Sequence, residues 1–183
     1  MYRNKKSGLL GIIITIVVLI LIVIFIGISF ALAKMTLRGD KNITLIAKNL
    51  QLDYTEGTST IALTKVAPQE DSDGLKNTPY TFTLKNTGTR TITYDVYLDD
   101  DSDCADCATF THSFLSYDLK KDGTSVSNGK LSTSSNKLGS YSIAGNTTQN
   151  FEFRLWLNLD ATNDVMAKSF YSRIRVEATE QVD

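Results

Sequence analysis

Apolar positions follow two regimes along this 183-residue chain. From Ser7 to Ala33 they run almost without a break, rich in Ile, Val and Leu, and no charge appears until Lys34. Further on they alternate with polar residues, the period of a strand with one buried face. Leu50, Leu52 and Tyr54 alternate, as do Tyr80, Phe82 and Leu84, then Ile92, Tyr94, Val96 and Leu98. Leu115, Tyr117 and Leu119 follow. Phe151, Phe153, Leu155 and Leu157 form the strongest stripe, and Phe170, Ser172, Ile174, Val176 and Ala178 the last. Weaker strands fit Ile61–Val66 and Leu138–Ile143. Turn signals separate them: Asp71-Ser72-Asp73-Gly74, Asn86-Thr87-Gly88, Asp122-Gly123, Asn128-Gly129 and Ala144-Gly145-Asn146. One helical turn is expected within Asp160–Lys168. About eight strands, each with one apolar face, cover those faces by stacking two antiparallel sheets. The predicted fold class is therefore all-β, an antiparallel β-sandwich of jelly-roll type. Its core is expected to draw on Phe151, Phe153, Leu155, Trp156, Ile174 and Val176.

The alternation changes phase once. Ile43, Leu45 and Ala47 occupy odd positions, Leu50, Leu52 and Tyr54 even ones. A bulge or bend near Lys48-Asn49 explains the change. So do two separate tasks for the two halves.

The unbroken apolar run is long enough to span a bilayer, because about 20 helical residues cross its roughly 30 Å hydrocarbon core. Arg3, Lys5 and Lys6 precede it. That bias leaves the N-terminus in the cytoplasm and exports everything after the run. Secretory signals have shorter apolar cores, of about 7–15 residues, which favours a retained anchor. Yet Ala31-Leu32-Ala33 has the A-x-A form that a signal peptidase reads, which makes Ala31 and Ala33 the candidate cleavage residues. Both outcomes stay open: a single-pass membrane protein held by residues 8–33, or a domain released to the extracellular matrix. The organisation read from the sequence is residues 1–33 as signal or anchor, 34–42 as a basic linker, and 43–183 as one extracellular domain.

Charge sharpens that division. Residues 1–42 carry six Lys or Arg against one acid, net +5, so the remainder of a chain totalling −1 carries −6. An acidic domain without a basic stripe argues against nucleic acid as a partner. Two cysteines are too few for a disulfide-built scaffold, and 141 residues bury enough surface to fold without one.

Little in the chain suggests catalysis. The single histidine, His112, precedes a strand in a polar stretch and reads as an ordinary surface residue. No H-E-x-x-H pair exists, and no glycine-rich loop leads from a strand into a helix. Ser127-x-x-Lys130 matches a serine–lysine spacing but sits in a Ser/Asn/Gly turn without a companion motif. The dense cluster is Asp99-Asp100-Asp101-Ser102-Asp103-Cys104-Ala105-Asp106-Cys107. Asp99, Asp101 and Asp103 mimic the first ligands of an EF-hand loop, but Cys104 replaces its glycine and Phe110 its final glutamate. What remains is either a looser Ca²⁺ site on Asp99, Asp101, Asp103 and Asp106, or a solvated acidic loop. No other cofactor is expected. Cys104 and Cys107 lack the further ligands a zinc site needs. Outside the cell they are expected to form a small local disulfide.

The last third, YSIAGNTTQNFEFRLWLNLDATNDVMAKSFYSRIRVEATEQ, carries a wider pattern. An aromatic-rich strand ends in Leu155-Trp156-Leu157, a turn follows at Asp160-Ala161-Thr162-Asn163-Asp164, and a final strand runs from Lys168 through Glu177. With PYTFTLKNTGTRTITYDVYLDD, the preceding DSDG turn and the GISFALA end of the apolar run, this resembles the TasA/camelysin family of Gram-positive bacteria. The resemblance implies a jelly-roll domain, export, cleavage by a dedicated signal peptidase, and assembly into matrix fibres. In such fibres an N-terminal strand of one subunit completes the sheet of the next. The matching segment here is Leu37–Tyr54, with Ile43, Leu45, Ala47, Leu50 and Leu52 as the assembly residues. The competing reading makes that segment the domain's own first strand. Two departures stand out: Leu32, not an aromatic, follows Ala31, and the family does not lead one to expect an acidic C-x-x-C loop. Some members are described as proteases, but this chain has no recognisable metal motif to carry that activity. The expectation is a non-enzymatic structural protein of the cell surface or biofilm matrix, with itself or other matrix proteins as partners. The alternative is a membrane-tethered binding module displaying the acidic loop.

Overall fold

The apolar stripes become strands because alternation places every second side chain on one face, where it can be covered. The computed structural model describes residues 15–18, 34–38, 43–47, 50–101, 111–166 and 168–180. Residues 15–18 are helical and exposed, while the rest of the predicted membrane segment lies outside the described residues. Among the described residues no helix is long and apolar enough to cross a membrane. The chain divides into two units, Met1–Met35 and Thr36–Asp183.

Eleven strands form among the described residues. The first four are β1 (Lys34–Arg38), β2 (Ile43–Ala47), β3 (Leu50–Glu56) and β4 (Ile61–Thr64). After a helical turn at Asp71–Gly74 come β5 (Tyr80–Asn86) and β6 (Ile92–Asp100). A 3₁₀ turn at His112–Phe114 leads into β7 (Leu115–Lys121) and β8 (Thr124–Lys130). Then follow β9 (Lys137–Ile143), β10 (Thr148–Leu157) and β11 (Ser169–Glu180). One sheet has the order β1-β11-β6-β9, with β4 also on β11, and the other has the order β2-β3-β5-β10-β7-β8. The pairings among β2 to β11 are antiparallel. The all-β sandwich expected from the sequence is present, as are all eight stripes read as strands.

Aromatic residues bind the two sheets together. Phe82 stands opposite Phe151 in the β5–β10 register. Their rings stack 4.6 Å apart, nearly parallel. Tyr54 stacks on Phe82 at 5.6 Å, and Tyr94 of the other sheet meets Phe151 edge-on at 6.4 Å. Such pairs add about 0.5–1.5 kcal/mol beyond the area they bury. Buried Asn86 donates to the carbonyls of Arg90 and Ile143 and accepts from the Gly88 amide. It thereby closes the Asn86-Thr87-Gly88 turn between the sheets.

Three local readings change and one holds. The phase shift at Lys48-Asn49 marks a hairpin: Ile43 pairs with Tyr54, Leu45 with Leu52, and Ala47 with Leu50, which leaves two residues between the strands. Opposed residues of such a hairpin have opposite parity, so one apolar stripe continues through the reversal in the other phase. Asn128-Gly129 is strand, not turn: Asp118 pairs with Asn128 and Tyr117 with Gly129. The reversal before it uses Asp122-Gly123, both with positive φ (49° and 83°), the type I′ arrangement that matches strand twist. The helical turn expected within Asp160–Lys168 is present, at Asn163–Met166. Trp156 is not part of the inter-sheet core. It lies out of phase with Phe151, Phe153, Leu155 and Leu157, and is buried at 3% exposure on the opposite face. The Asp71–Gly74 turn covers it there, and Asp71 Oδ1 accepts a hydrogen bond from its Nε1 at 3.1 Å.

Gly74 presses directly against that indole, and a Cβ at this position would collide with the ring. Gly74→Ala is therefore expected to destabilise the domain by about 1–3 kcal/mol, the usual cost of overpacking. Urea unfolding followed by Trp156 fluorescence measures it, and an unchanged midpoint would contradict this packing.

Candidate functional site

Three regions of the described domain can act on something outside it: a polar cleft, a charged sheet face and the sheet edges. The cleft begins where the apolar stripe of β3 ends. Leu52 and Tyr54 are buried, and Glu56 continues their phase. Tyr80, the first residue of β5, donates to Glu56 Oε1 at 2.6 Å. The Tyr54 hydroxyl lies 3.1 Å from the same oxygen and 2.9 Å from the Tyr80 hydroxyl. Burial, above all, pushes both phenols well above the usual tyrosine range, and Glu56 beside them adds to the effect. Both tyrosines therefore stay neutral donors that hold the carboxylate in place.

Glu56 and Tyr80 form one wall of a cleft of about 300 Å³. Ser59, Thr60 and Ile61, at and before the start of β4, line it with Asp101, Tyr171, Ser172 and Arg173. Ser172 is only 6% exposed, and among the described residues its Oγ has no hydrogen-bond partner. Arg173 donates from Nε and Nη2 to Asp101 Oδ2 at 3.0 and 2.7 Å.

The solvent-side face of β6 and β11 is a charged ladder. Arg175 donates to Asp99 Oδ2 at 2.7 Å, bonds Glu177, and lies 4.1 Å above the Tyr97 ring. Asn136 donates to Asp99 Oδ1 at 2.7 Å. Lys137 pairs with Asp95 at 2.9 Å. His112 is more than a surface residue: its Nε2 lies 2.9 and 3.1 Å from the two Asp100 oxygens, and its Nδ1 lies 3.2 Å from the Ser132 carbonyl. It thus ties the end of β6 to the stretch that follows β8. Ser127, of the serine–lysine spacing, shares a hydrogen bond with Tyr117 and donates to Leu138 O, so strand packing engages it.

These contacts locate the predicted residues. Of the candidate Ca²⁺ ligands, Asp99 and Asp101 have arginine partners, while Asp103 and Asp106 lie outside the described residues. Among the described residues no group of three His, Cys, Asp or Glu side chains converges for a metal. Cys104, Cys107, Ala31 and Ala33 also lie outside the described residues. Ile43, Leu45 and Ala47 fall in β2, an edge strand, and Leu50 and Leu52 fall in β3 beside it. The cleft escaped the sequence reading. Its one local sign was Glu56, a carboxylate in the apolar phase of Leu52 and Tyr54.

No protein-family model and no curated protein matches the chain. Solved structures give distant likenesses. The PA14 domain of the MpAFP antifreeze protein is 11% identical, with 79% of each chain covered and a TM-score of 0.28. A two-domain esterase (CEX) active on acetylated mannans is 16% identical, with 71% of this chain and 37% of that one covered and a TM-score of 0.28. The secreted serine protease VesC from Vibrio cholerae is 11% identical, with 79% and 23% covered and a TM-score of 0.23. Likeness at this level carries no functional argument.

The ladder has a pH signature. Burial raises the Asp95 pKa, but hydrogen bonds from Lys137 and Ser140, the Lys137 charge and the Tyr97 hydroxyl outweigh it, so the folded value lies below the ordinary 3.8. A depressed carboxylate stabilises the fold above its unfolded pKa and loses that contribution as pH falls through the folded one. Asp95→Asn is expected to cost under about 1 kcal/mol at pH 7, in the range of exposed ion pairs. The difference should vanish once the pH is below the folded pKa. Paired urea titrations across the acid range measure it, and a penalty that persists in strong acid would contradict the assignment.

Proposed function

We propose that this chain is an exported, non-enzymatic structural protein of the cell surface or biofilm matrix. In this reading the Ser7–Ala33 run inserts in the membrane, carries the domain out, and is removed by a signal peptidase. The sandwich, jelly-roll-like in its strand connections, then assembles into fibres through its N-terminal strands. The supporting observation is that the N-terminal arm supplies the last strand in the order of each sheet: β1 at one end of the β11 sheet and β2 at one end of the β3 sheet. An edge strand is hydrogen-bonded along one side only, so a copy of itself from a neighbouring subunit can take its place in the ladder. The β2–β3 register shows what that replacement has to reproduce, with Ile43 opposite Tyr54, Leu45 opposite Leu52 and Ala47 opposite Leu50.

Deleting residues 34–47 from the full chain is expected to abolish fibres seen by electron microscopy. A peptide spanning residues 34–47 should then bind the truncated protein one to one. Fibres that persist after the deletion would refute strand exchange.

A further inference from the structure

We infer that the cleft between Glu56 and Arg173 is a binding site for one unit of a neutral, polyhydroxylated ligand, a sugar residue of a glycan. The inference is independent of fibre formation. A volume of about 300 Å³ falls at the lower end of the range of about 300–1,000 Å³ for small-molecule sites.

Glu56 is the anchor. Two neutral tyrosine hydroxyls crowd its Oε1, while Oε2 has no protein partner among the described residues. The result is a carboxylate fixed in orientation with acceptor capacity to spare, beside an open cavity. Ser172 lines the same cleft, and its buried hydroxyl has no hydrogen-bond partner among the described residues. A buried polar atom in that condition costs stability unless something satisfies it. Thr60 and Tyr171 add hydroxyls that both donate and accept. Arg173, a donor-only group, is held in the wall by Asp101.

The balance of these groups selects the ligand. A divalent cation wants six or more oxygen ligands, typically with several carboxylates, and of the two carboxylates lining the cleft Asp101 is engaged by Arg173. A ligand ammonium satisfies Glu56 but leaves the hydroxyls unmatched. An anion meets Glu56. A sugar hydroxyl both donates and accepts, which matches a lining of carboxylate, hydroxyl and guanidinium groups.

The test uses the full-length chain in a non-glycosidic detergent. Cellohexaose, maltohexaose, mannohexaose and chitohexaose serve as probes in saturation-transfer NMR and calorimetry. At least one is expected to bind saturably with Kd below about 10 mM, a weak but measurable affinity. Glu56→Gln keeps an acceptor for Tyr80 and should weaken binding about tenfold or more, the scale of one charge-assisted hydrogen bond. Thr60→Trp, at an exposed rim position, should abolish binding without touching the core, and covers the case in which Glu56→Gln does not fold. Failure of all four probes would overturn the site. So would binding that survives both variants, or Ca²⁺ or a lysine peptide binding in the sugars' place with loss on Glu56→Gln.

Discussion

The contact on which the rest of the domain depends is the stack of Phe82 on Phe151, inside the β5–β10 ladder of one sheet and edge-on to Tyr94 of the other. It sets the register of the two central strands and, through Tyr94, the approach of the second sheet. Both rings are essentially buried, so slipping β5 by one residue would turn this whole face towards water. Tyr54 extends the aromatic seam to the end of β3, where it meets Glu56. The core therefore ends in a polar group that the core itself orients. Burial keeps the tyrosines neutral there, and neutral phenols can donate to a carboxylate that would otherwise be poorly solvated.

The outer faces are governed by pairing, and pairing gives the acidic residues their character. Asp99 and Asp101 look from their neighbours like parts of a cation loop. In the fold they sit on β6 or directly after it, diagonal to Arg175 and Arg173 of β11, and arginine supplies the positive charge. A guanidinium suits such carboxylates because it presents a rigid fork of donors. The opposite face of the other sheet is handled by covering. Trp156 projects away from the core, and a short turn with glycine at the contact closes over it.

A sandwich built this way leaves sheet edges, and edges invite further pairing. At one end of the β-sheet containing β7 lies β8, short of large apolar residues, with a register irregularity where Val126 falls between paired positions. Bulges and polar side chains of this kind discourage unwanted strand addition. The N-terminal arm forms the opposite end. The proposed exchange acts there, at the ends of the two strand orders.

Period-two alternation made the eight main strands and the sandwich legible, because it depends only on a residue and its near neighbours. Asp122-Gly123 was legible for the same reason: its positive φ angles are a local demand. The phase change at Lys48-Asn49 was visible but ambiguous, since a bulge and a hairpin both shift parity, and only the pairing of Ala47 with Leu50 separates them. Asn128-Gly129 misled because a turn dipeptide also fits an edge strand when a partner strand holds it. Beyond Glu56 in the apolar phase of β3, the cleft and the ladder belong to the tertiary structure. Asp101 and Arg173 are 72 residues apart, Asp99 and Arg175 are 76, and Trp156 and Asp71 are 85. Nothing in the local pattern states which strands will be neighbours. The sequence by itself determined which faces are buried; strand order and register decided which polar groups meet, because hydrogen bonds and ion pairs act only across the few ångströms that folding brings together.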